Sequence, residues 1–385
     1  MQATDFKTDA PGRLVRSLDG IQCFRPSRLP PELHLDMETG LLLSQADHSL
    51  GKFSGAGSML PSPQLLIAPF LRREAILSSR IEGTIASARE VAVYELEPTR
   101  EPTKPDVREV SNYIAALESG LQRLNELPIS LRLIRELHAR LMLNVRGSDQ
   151  HPGEFRTTQN WIASAGSPVE QARYVPPPVP EMRSALDELE KFIHAPAARP
   201  PLIDIALVHY QFEAIHPFED GNGRIGRLLI SLLLSERNLL SEPLLYLSAY
   251  FDRHRKEYAN HLLAVSQTNA WLEWIRFFLR GVIEQSQDAE DRCTKILKLL
   301  KSYRAKVQKA NAPALGLKLV DHLFSQPLIT VPRAQKLLGV TYRAAKNNLD
   351  KLVAEKILRE GRTPQGVRVY AADKILELTE SSLND

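Results

Sequence analysis

The sequence predicts a mainly α-helical protein with one small β-hairpin and a separate C-terminal helix-turn-helix unit. Three observations support this fold class. Apolar residues recur at helical spacing through most of residues 66–285. Within that span, residues 151–180 combine β-prone residues with turn residues, which predicts a hairpin. Residues 312–385 differ in composition and follow the order helix, helix, turn, helix and two short strands.

The composition is that of an ordinary globular protein. Of the 385 residues, 43% are apolar and 25% are charged, and the net charge of +3 does not demand a nucleic-acid partner. Cys23 and Cys293 lie far apart in sequence, which excludes a disulfide framework and a cysteine zinc site. The N-terminus lacks the apolar core of a signal peptide, and the longest apolar run, LLISLLLS, is too short to span a bilayer. We therefore expect a cytoplasmic protein without a membrane segment.

Shifts in composition divide the chain into four predicted regions. An N-terminal region covers residues 1–105, and the main helical domain covers residues 106–285. A basic amphipathic helix, residues 286–311, is expected to connect that domain to the C-terminal unit, residues 312–385. We expect no internal repeat and no low-complexity tract.

The elements of the first two regions follow from periodicity and turn residues. The first 65 residues are expected to be loop-rich, because RPSRLPPEL and GKFSGAGSMLPSP concentrate Pro, Gly and Ser. Helical patterns cover about residues 66–92 and 106–126 and the stretch ISLRLIRELHARLML. FRTTQNWIASAGSPVEQARYVPPPVP then predicts a hairpin that leads into a polyproline connector, and long helices continue to about residue 280.

One connection between two predicted helices, in the stretch HPFEDGNGRIGR, has unusual chemistry. The first helix is expected to end near His216, because Pro217 disfavours helical conformation at the residue before it. Gly221, Asn222 and Gly223 stand at the start of the second helix. The unpaired N–H groups and partial positive charge of a helix start suit an anion, and glycines let the backbone approach it closely.

The charged side chains of this connection indicate a polyphosphate ligand. Arg224 and Arg227 are three residues apart, share a helical face and are suited to more than one phosphate. Asp220 offers one carboxylate, which is how Mg²⁺ is usually held when substrate phosphates supply further ligands. His216 is a candidate general base. The stretch is neither a Walker A loop, since no GK[ST] follows, nor a dinucleotide fingerprint, since helices flank it.

HPFEDGNGRIGR resembles the signature of the Fic family, HPFx[D/E]GNGRxxR, at every specified position. The resemblance covers about residues 66–285 and implies a mainly helical Fic domain. Most Fic proteins transfer AMP from ATP to a hydroxyl group of a protein and release pyrophosphate. On this resemblance, His216 would deprotonate the target hydroxyl and Asp220 would bind Mg²⁺. Arg224 would hold the β-phosphate and Arg227 the γ-phosphate. The residues that would cradle the α- and β-phosphates are Gly221, Asn222 and Gly223.

The predicted hairpin is the second match. GEFRTTQNWI resembles the Fic flap, whose main chain pairs with the target segment by strand addition. The flap residues that would lie over the nucleotide are Asn160, Trp161, Ile162 and Ala163. By position after the signature, Tyr258 is expected on the adenine side, with Tyr250 as a second candidate. Without the signature, the segment would be interpreted as a structural hairpin packed by Trp161.

The stretch SSRIEGT suggests a brake on the same site. Gly83 is expected to cap a helix, which places Glu82 at the negative helix end, unfavourable by roughly 0.3–1 kcal/mol. Locally, Glu82 would be a solvated residue paired with Arg80. The resemblance implies instead that Ser78, Glu82 and Gly83 form the class II Fic inhibitory motif, [S/T]xxxE[G/N]. There the glutamate pairs with the second signature arginine, here Arg227, and excludes the γ-phosphate. In some relatives it also helps to remove AMP, so reversal stays open.

The C-terminal unit resembles a winged-helix domain, a common appendage of Fic proteins. VPRAQKLLGVTYRAAKNNLDKLVAEKIL has helix-turn-helix spacing with Gly339 at the turn, and ILREGRTPQGVRVY would be the wing. Residues 312–385 contain eleven Lys and Arg against eight Asp and Glu, a net charge of only +3. DNA binding, protein docking and a structural role therefore stay open. The residues available to a major groove are Thr341, Tyr342, Arg343, Lys346 and Asn347.

Three functions are compatible with these motifs. The first is an autoinhibited protein adenylyltransferase that modifies a Ser, Thr or Tyr hydroxyl of a protein, itself included, with ATP and Mg²⁺. The second is a DNA-binding regulator that senses nucleotide, which needs neither the base His216 nor a flap. The third is a Fic enzyme that transfers phosphate, UMP or phosphocholine. The pair Arg224 and Arg227 favours a triphosphate in the AMP-transfer orientation. Family habit suggests a homodimer.

Overall fold

The computed structural model describes residues 1–58, 64–96, 101–102, 104–147, 149–163, 166–196, 198–309 and 313–380. This part of the chain is mainly helical with small antiparallel sheets, as the sequence predicts. The helices are α1 (Met37–Ser58), α2 (Gln64–Ile81), α3 (Ala88–Leu96), α4 (Pro105–Arg123), α5 (Leu131–Leu141), α6 (Val179–Ile193), α7 (Pro201–Ile215), α8 (Asn222–Glu236), α9 (Ser248–Arg253), α10 (Arg255–Thr268), α11 (Trp271–Lys309), α12 (Pro313–Ser325), α13 (Val331–Leu338), α14 (Tyr342–Ala354) and α15 (Asp373–Glu380). The strands are β1 (Gly12–Arg16), β2 (Gln22–Pro26), β3 (Leu328–Ile329), β4 (Arg359–Arg362) and β5 (Arg368–Ala371).

Hydroxyl side chains cap the N-termini of three of these helices. Ser130 caps α5 by accepting a hydrogen bond from the third helical N–H at 3.3 Å. Thr330 caps α13 and Thr341 caps α14 in the same way, at 3.4 and 3.2 Å. Each cap satisfies a backbone donor that has no partner within its helix.

The chain forms two compact units. The first comprises residues 1–52, 115–240 and 250–285. Its centre is the antiparallel pair α7 and α8, whose residues are buried almost all round. A helix that is apolar on every side belongs in a core. The connection between α7 and α8 is therefore held at both ends by buried helices.

The second unit comprises residues 53–114, 241–249 and 286–385. Within it, the buried carboxylate of Glu74 on α2 accepts hydrogen bonds from Tyr113 Oη at 3.0 Å and from Ser248 Oγ at 2.6 Å. A buried charge needs such partners. This unit also contains the C-terminal segment, residues 313–380, in which β3, β5 and β4 form one antiparallel sheet in that spatial order. The turn between α13 and α14 contains Gly339 at φ 69°, as predicted.

The expectation that the first 65 residues are loop-rich is wrong for most of the residues described. β1 and β2 form an antiparallel hairpin with Leu14 opposite Phe24, and α1 follows for 22 residues. The signal for the hairpin was the dipeptide Asp19-Gly20, because Gly20 adopts φ 79° in the tight turn. Asp36 marks the helix start by accepting a hydrogen bond from Thr39 N at 3.0 Å. Residues 59–63 lie outside the described residues.

Two further elements differ from the periodicity. The helical pattern over residues 66–92 divides into α2 and α3 around Gly83, which adopts φ 92°. In the described part of residues 151–180, the predicted hairpin is reduced to one antiparallel bridge between Ile162 and Tyr174. The prolines that follow Tyr174 cannot donate to a strand ladder, so pairing stops there.

The long helices continue further than expected. The basic segment predicted as a connector lies in the same helix, α11, that begins at Trp271. No helix among the described residues combines the length and apolarity needed to cross a membrane.

Candidate active site

The candidate site is built on the connection between α7 and α8. His216 follows α7 in the left-handed conformation, φ 49° and ψ 61°, and its N–H donates to Phe212 O at 3.0 Å. Gly221, at φ 79° and ψ 4°, immediately precedes α8. The predicted helix end at His216 and helix start after Gly221 are both confirmed. A left-handed histidine is uncommon and persists only where its surroundings hold it.

The side chain of Asn222 closes this turn. Phe218 N donates to Asn222 Oδ1 at 2.8 Å, and Asn222 Nδ2 donates to Phe218 O at the same distance. Asn222 is buried, so both hydrogen bonds replace lost contacts with water. The turn is thus shaped before any ligand arrives, and the backbone of residues 221–223 starts α8 as the sequence predicts.

Arg156 fastens the flap segment to the end of α7. Its Nε donates to His216 O at 3.0 Å and its backbone N–H donates to Pro217 O at 2.9 Å. The guanidinium also donates to the carbonyls of Thr158 and Pro177. Burial lowers the pKa of Arg156 to about 10, so the group keeps its charge at neutral pH. Sequence reasoning missed Arg156; its place in GEFRTT, within the flap, was the available signal.

Of the flap residues, Asn160 lies at the signature turn. Its Nδ2 donates to Phe218 O at 2.9 Å. Trp161 and Ile162 are exposed, at 40% and 38%, although Trp161 Nε1 donates to Ser167 O at 3.0 Å. Ala163 packs against a small apolar cluster that contains Cys23. Of the four predicted residues, one therefore lies at the turn, two are exposed and one is partly buried against a small core.

The start of α8 concentrates positive charge. Arg224 and Arg227 are both buried, at 2% and 3% exposure. Arg224 Nη2 lies 3.7 Å from Asp220 Oδ1, which also accepts a hydrogen bond from Gly221 N at 2.6 Å. Buried guanidiniums act in a low dielectric and beside the positive end of a helix, so the turn favours an anion strongly.

Asp220 fits a magnesium site in which the protein supplies one carboxylate, rather than a site built entirely from protein ligands. Its side chain is 41% exposed, so the carboxylate is accessible beside the turn. Among the residues that the structure describes, no group of three or more His, Cys, Asp or Glu side chains converges on one point. One carboxylate suits Mg²⁺ that takes its other ligands from substrate phosphates and water.

His138 on α5 contacts the turn through Asp220 and Phe218. Gly153 N donates to His138 Nδ1 at 2.9 Å, so the ring proton lies on Nε2, which donates to Asp220 O at 3.0 Å. The ring stacks on Phe218 with centroids 3.7 Å apart and an interplanar angle of 5°. Burial lowers the pKa of His138 to about 4 and keeps the ring neutral. Sequence reasoning missed this residue as well.

Two stretches of the chain match models of protein families. Residues 41–122 match the family model described as Fic/DOC family N-terminal, and residues 128–234 match the Fic/DOC family model. The second match contains the whole α7–α8 connection. The chain carries Fic/DOC family domains.

Two curated relatives that match part of the chain bear the same name. A protein adenylyltransferase Fic from Drosophila grimshawi is 32% identical over 130 residues, which are 32% of this chain and 25% of that protein. One from Culex quinquefasciatus is 26% identical over 188 residues, which are 47% of this chain and 33% of that protein. The chain thus spans a quarter to a third of the length of the curated relatives it matches.

Solved structures show the same fold. A Fic family protein from Desulfovibrio desulfuricans has a TM-score of 0.56 at 18% identity and covers 89% of this chain and 98% of its own. A Fic domain containing signaling protein from Bacteroides thetaiotaomicron has a TM-score of 0.52 at 19% identity, over 64% of this chain and 95% of its own. At these identities the likeness concerns the fold alone.

The two tyrosines expected near adenine lie in an aromatic cluster of the first unit. Tyr258 is buried, and its hydroxyl donates to His209 Nε2 at 2.7 Å, because His209 Nδ1 bonds to Gly226 O at 3.1 Å. Tyr250 is buried against His254 and Phe277, with ring centroids 4.6 and 4.9 Å away. Their contact with adenine stays a prediction.

The inhibitory-motif residues lie in the second unit. Ser78 is fully buried on α2, and Glu82 is exposed in the turn that follows the helix. Gly83 N donates to Arg80 O at 3.0 Å, and φ is 92° at Gly83, which is the predicted cap conformation. The local geometry of the motif is therefore as expected, while its action on the Fic site stays a prediction.

Proposed function

We propose that this chain is an autoinhibited protein adenylyltransferase that transfers AMP from ATP to a Ser, Thr or Tyr hydroxyl of a protein. The observation that carries the proposal is the turn of residues 216–224. It contains a histidine, a carboxylate and the start of α8, which suits an anion, and Arg224 and Arg227 are buried in that helix. The name shared by the two curated relatives, protein adenylyltransferase Fic, supports the same proposal.

In the proposed reaction, His216 takes the proton from the target hydroxyl. The oxygen then attacks the α-phosphorus of ATP, the bond from that phosphorus to the bridging oxygen of the β-phosphate breaks, and pyrophosphate leaves. Arg224 would hold the β-phosphate and Arg227 the γ-phosphate, while the backbone of residues 221–223 would cradle the α- and β-phosphates. Positioning and charge stabilisation contribute most to phosphoryl-type transfer, and a rigid turn provides both. Mg²⁺ held by Asp220 would neutralise part of the phosphate charge.

The flap would receive the protein substrate. Trp161 and Ile162 expose their side chains, and the Ile162 backbone already pairs with Tyr174 at 2.8 Å on one side. An extended target segment that pairs with the other side would be read through its backbone. Asn160, fastened to Phe218 O, would keep this segment close to the nucleotide.

Glu82 would be the brake. We propose that it pairs with Arg227, excludes the γ-phosphate and leaves ATP bound unproductively, with Ser78 one turn earlier steadying the carboxylate. Glu82 would also assist the removal of AMP, in which water attacks the phosphorus, the bond to the protein oxygen breaks, and AMP and the free hydroxyl are released.

The C-terminal segment would act as a winged helix. Its exposed α14 residues include Thr341, Tyr342, Arg343 and Asn347, while Lys346 pairs with Asp350 at 2.6 Å. These side chains suit either the major groove of DNA or a protein surface. DNA binding by this segment and a homodimer are both part of the proposal. We also propose that residues 106–285 form the catalytic domain, between the N-terminal region and the basic helix.

Labelled ATP with Mg²⁺ tests the function directly. We would compare wild type, Glu82→Gly and Glu82→Gly/His216→Ala, each alone and in a cell lysate, and detect AMP on protein. Strong labelling in Glu82→Gly alone is expected, with a loss of about 10²- to 10⁴-fold when the base is removed. No labelling in any variant that still binds ATP would overturn the proposal.

The other two functions predict different results. A nucleotide-sensing DNA regulator would bind a specific operator and leave every protein unlabelled. A Fic enzyme that transfers UMP or phosphocholine would label protein only after ATP is exchanged for UTP or a choline nucleotide. One that transfers phosphate would label protein from γ-labelled ATP and not from α-labelled ATP. The intact pair Arg224 and Arg227, both buried at the helix start, favours a triphosphate donor.

A further inference from the structure

His138 contacts the site turn through two interactions, with Asp220 and Phe218, and a third interaction, with Gly153, fixes its ring. Its Nε2 donates to Asp220 O at 3.0 Å, its Nδ1 accepts from Gly153 N at 2.9 Å, and its ring stacks on Phe218. A methyl group at Gly221 would lie 3.0 Å from Met142 Sδ and 3.4 Å from His138 Nε2, so the space beside this glycine is bounded in part by the ring. The ring therefore supports the backbone that is proposed to meet the phosphates.

We infer that His138 is a positioning residue of the nucleotide site: it orients the Asp220–Gly221 peptide and, through it, the first N–H groups of α8. The inference rests on the proposed function. The neutral ring provides one donor and one acceptor in fixed directions, and a backbone turn that carries two positive-φ residues, at 216 and 221, needs such support.

Three variants in the Glu82→Gly background test this role. His138→Phe keeps the ring and removes both hydrogen bonds, whereas His138→Gln presents an amide that can accept from Gly153 N and donate to Asp220 O. His194→Phe is the control, since it removes a ring-to-carbonyl hydrogen bond of 2.7 Å at the end of α6. We would measure kcat and KM for ATP, and the ATP dissociation constant by calorimetry with and without Mg²⁺.

His138→Phe is expected to lower kcat/KM and ATP affinity by about 10- to 100-fold, and His138→Gln to recover most of the loss. A folded His138→Phe protein within twofold of its parent, or a His138→Gln variant no better than His138→Phe, would overturn the inference. Because ATP affinity is measured without turnover, this result stands apart from a failure of AMP transfer itself.

A different observation concerns the brake. The C-terminal segment, residues 313–380, is hydrogen-bonded to α2, the helix that precedes Glu82. Arg72 on α2 is buried, pairs with Glu95 at 2.8 Å and donates to the carbonyl of Ser325 at the end of α12. A buried guanidinium that binds the negative end of a helix is a strong tie.

The same segment holds α3, the helix that follows Glu82, at both ends. Ala88 N, at the start of α3, donates to Glu380 Oε1 at 2.9 Å. At the other end, Arg333 Nη2 donates to the carbonyls of Glu95 and Leu96 at 2.7 and 2.6 Å. The turn that carries Glu82 therefore lies between two helices, and each is bound to residues 313–380.

We propose that the C-terminal segment sets the position of Glu82, so that a partner that draws this segment away from α2 and α3 releases the brake. This second inference also rests on the proposed function. The segment would exist in two states, one bound to α2 and α3 and one released from them. A partner shifts this equilibrium only if it binds the two states with different affinities. In the released state the hydrogen bonds of Arg72 and Arg333 would be lost.

Arg333→Ala is the test, with Lys336→Ala, an exposed lysine on the same helix α13, as the matched control. AMP labelling by Arg333→Ala is expected to exceed wild type by about 5- to 150-fold, the usual range of coupling between sites. Lys336→Ala should match wild type. In the Glu82→Gly background, Arg333→Ala should add nothing, since the brake is already absent.

Labelling by Arg333→Ala equal to wild type, while Glu82→Gly labels strongly, would overturn the coupling and leave the enzyme proposal intact. A rise of the same size in both backgrounds would also overturn it, because Glu82 would then not be the element controlled. Equal activity of Glu82→Gly with and without Arg333→Ala shows that the substitution leaves the fold intact.

Discussion

Arg156 donates from Nε to the carbonyl oxygen of His216 at 3.0 Å. This hydrogen bond joins the flap to the one histidine of the signature and holds it in a left-handed conformation, φ 49°. The pair explains how a histidine directly after a helix keeps one orientation: its N–H is bound by α7 and its carbonyl by a buried guanidinium. Precision of this kind is what a general base requires.

Arg156→Lys is predicted to lower the free energy of unfolding by about 2–4 kcal/mol, although the charge is kept. A lysine ammonium cannot reach His216, Thr158 and Pro177 carbonyls together as the planar fork does. Urea unfolding would measure the loss. The exposed Arg173→Lys should stay within about 0.5 kcal/mol of wild type. Equal small effects of both substitutions would contradict the fastening role.

Asn222→Ala is predicted to cost about 1–3 kcal/mol, because it leaves the buried N–H of Phe218 without its 2.8 Å acceptor and removes one of the two amide donors to Phe218 O. The matched substitution is Asn125→Ala. Asn125 is exposed and bonds only locally to Gln122 O at 3.1 Å, so its loss should change stability little. Denaturant midpoints of the two variants would be compared, and a larger loss at Asn125 would refute the closure of the turn by Asn222.

Gly153→Ala separates backbone strain from crowding. Gly153 adopts φ 85°, and a methyl group there would lie 2.9 Å from Ala139 Cβ and 3.0 Å from Arg135 O. We expect a loss of about 2–4 kcal/mol, of which left-handed strain accounts for about 1–2 kcal/mol.

Gly20→Ala is the control for that experiment, since Gly20 has φ 79° and a methyl group would meet nothing within 4 Å. It should lose the strain component alone, about 1–2 kcal/mol. Thermal unfolding at pH 7 measures both variants. Equal losses would mean that the backbone around Arg135 and Ala139 yields, and would remove the packing argument.

His209 predicts a loss of stability in acid. Burial lowers its pKa to about 3, against an ordinary value of 6.5. Between these values the unfolded chain binds a proton that the folded chain does not, so stability falls as pH falls from about 6.5 towards 3. The contribution lost between pH 7 and pH 5 is about 2 kcal/mol.

His209→Gln removes this ionisable group. At pH 7 this variant should be less stable than wild type, since Gly226 O and Tyr258 Oη lose their ring partner. Between pH 7 and pH 5, however, it should lose about 2 kcal/mol less of its unfolding free energy than wild type loses. Urea unfolding at both pH values measures the difference. Parallel pH profiles for the two proteins would show that His209 is not the group responsible.

Local patterns predicted the elements that local physics controls. The end of α7 at His216 follows from Pro217, and the turns at Gly83 and Gly339 follow from residues that accept positive φ. The N-terminal hairpin was missed although Asp19-Gly20 is a strong turn signal, because the prolines after it dominated the interpretation. The flap hairpin was predicted too long, since prolines allow only the Ile162–Tyr174 bridge among the residues described.

The sequence by itself determined the chemistry at the start of α8. The spacing of His216, Asp220, Arg224 and Arg227 depends only on one turn and one helix, so it is encoded within twelve residues. Tertiary structure alone decided which residues support that turn. Arg156 lies 60 positions before His216 and His138 lies 82 positions before Asp220, and neither distance has a periodic signature. Packing of α5 and the flap against the α7–α8 core brings them together, because buried carbonyls and N–H groups must find partners wherever the chain places them.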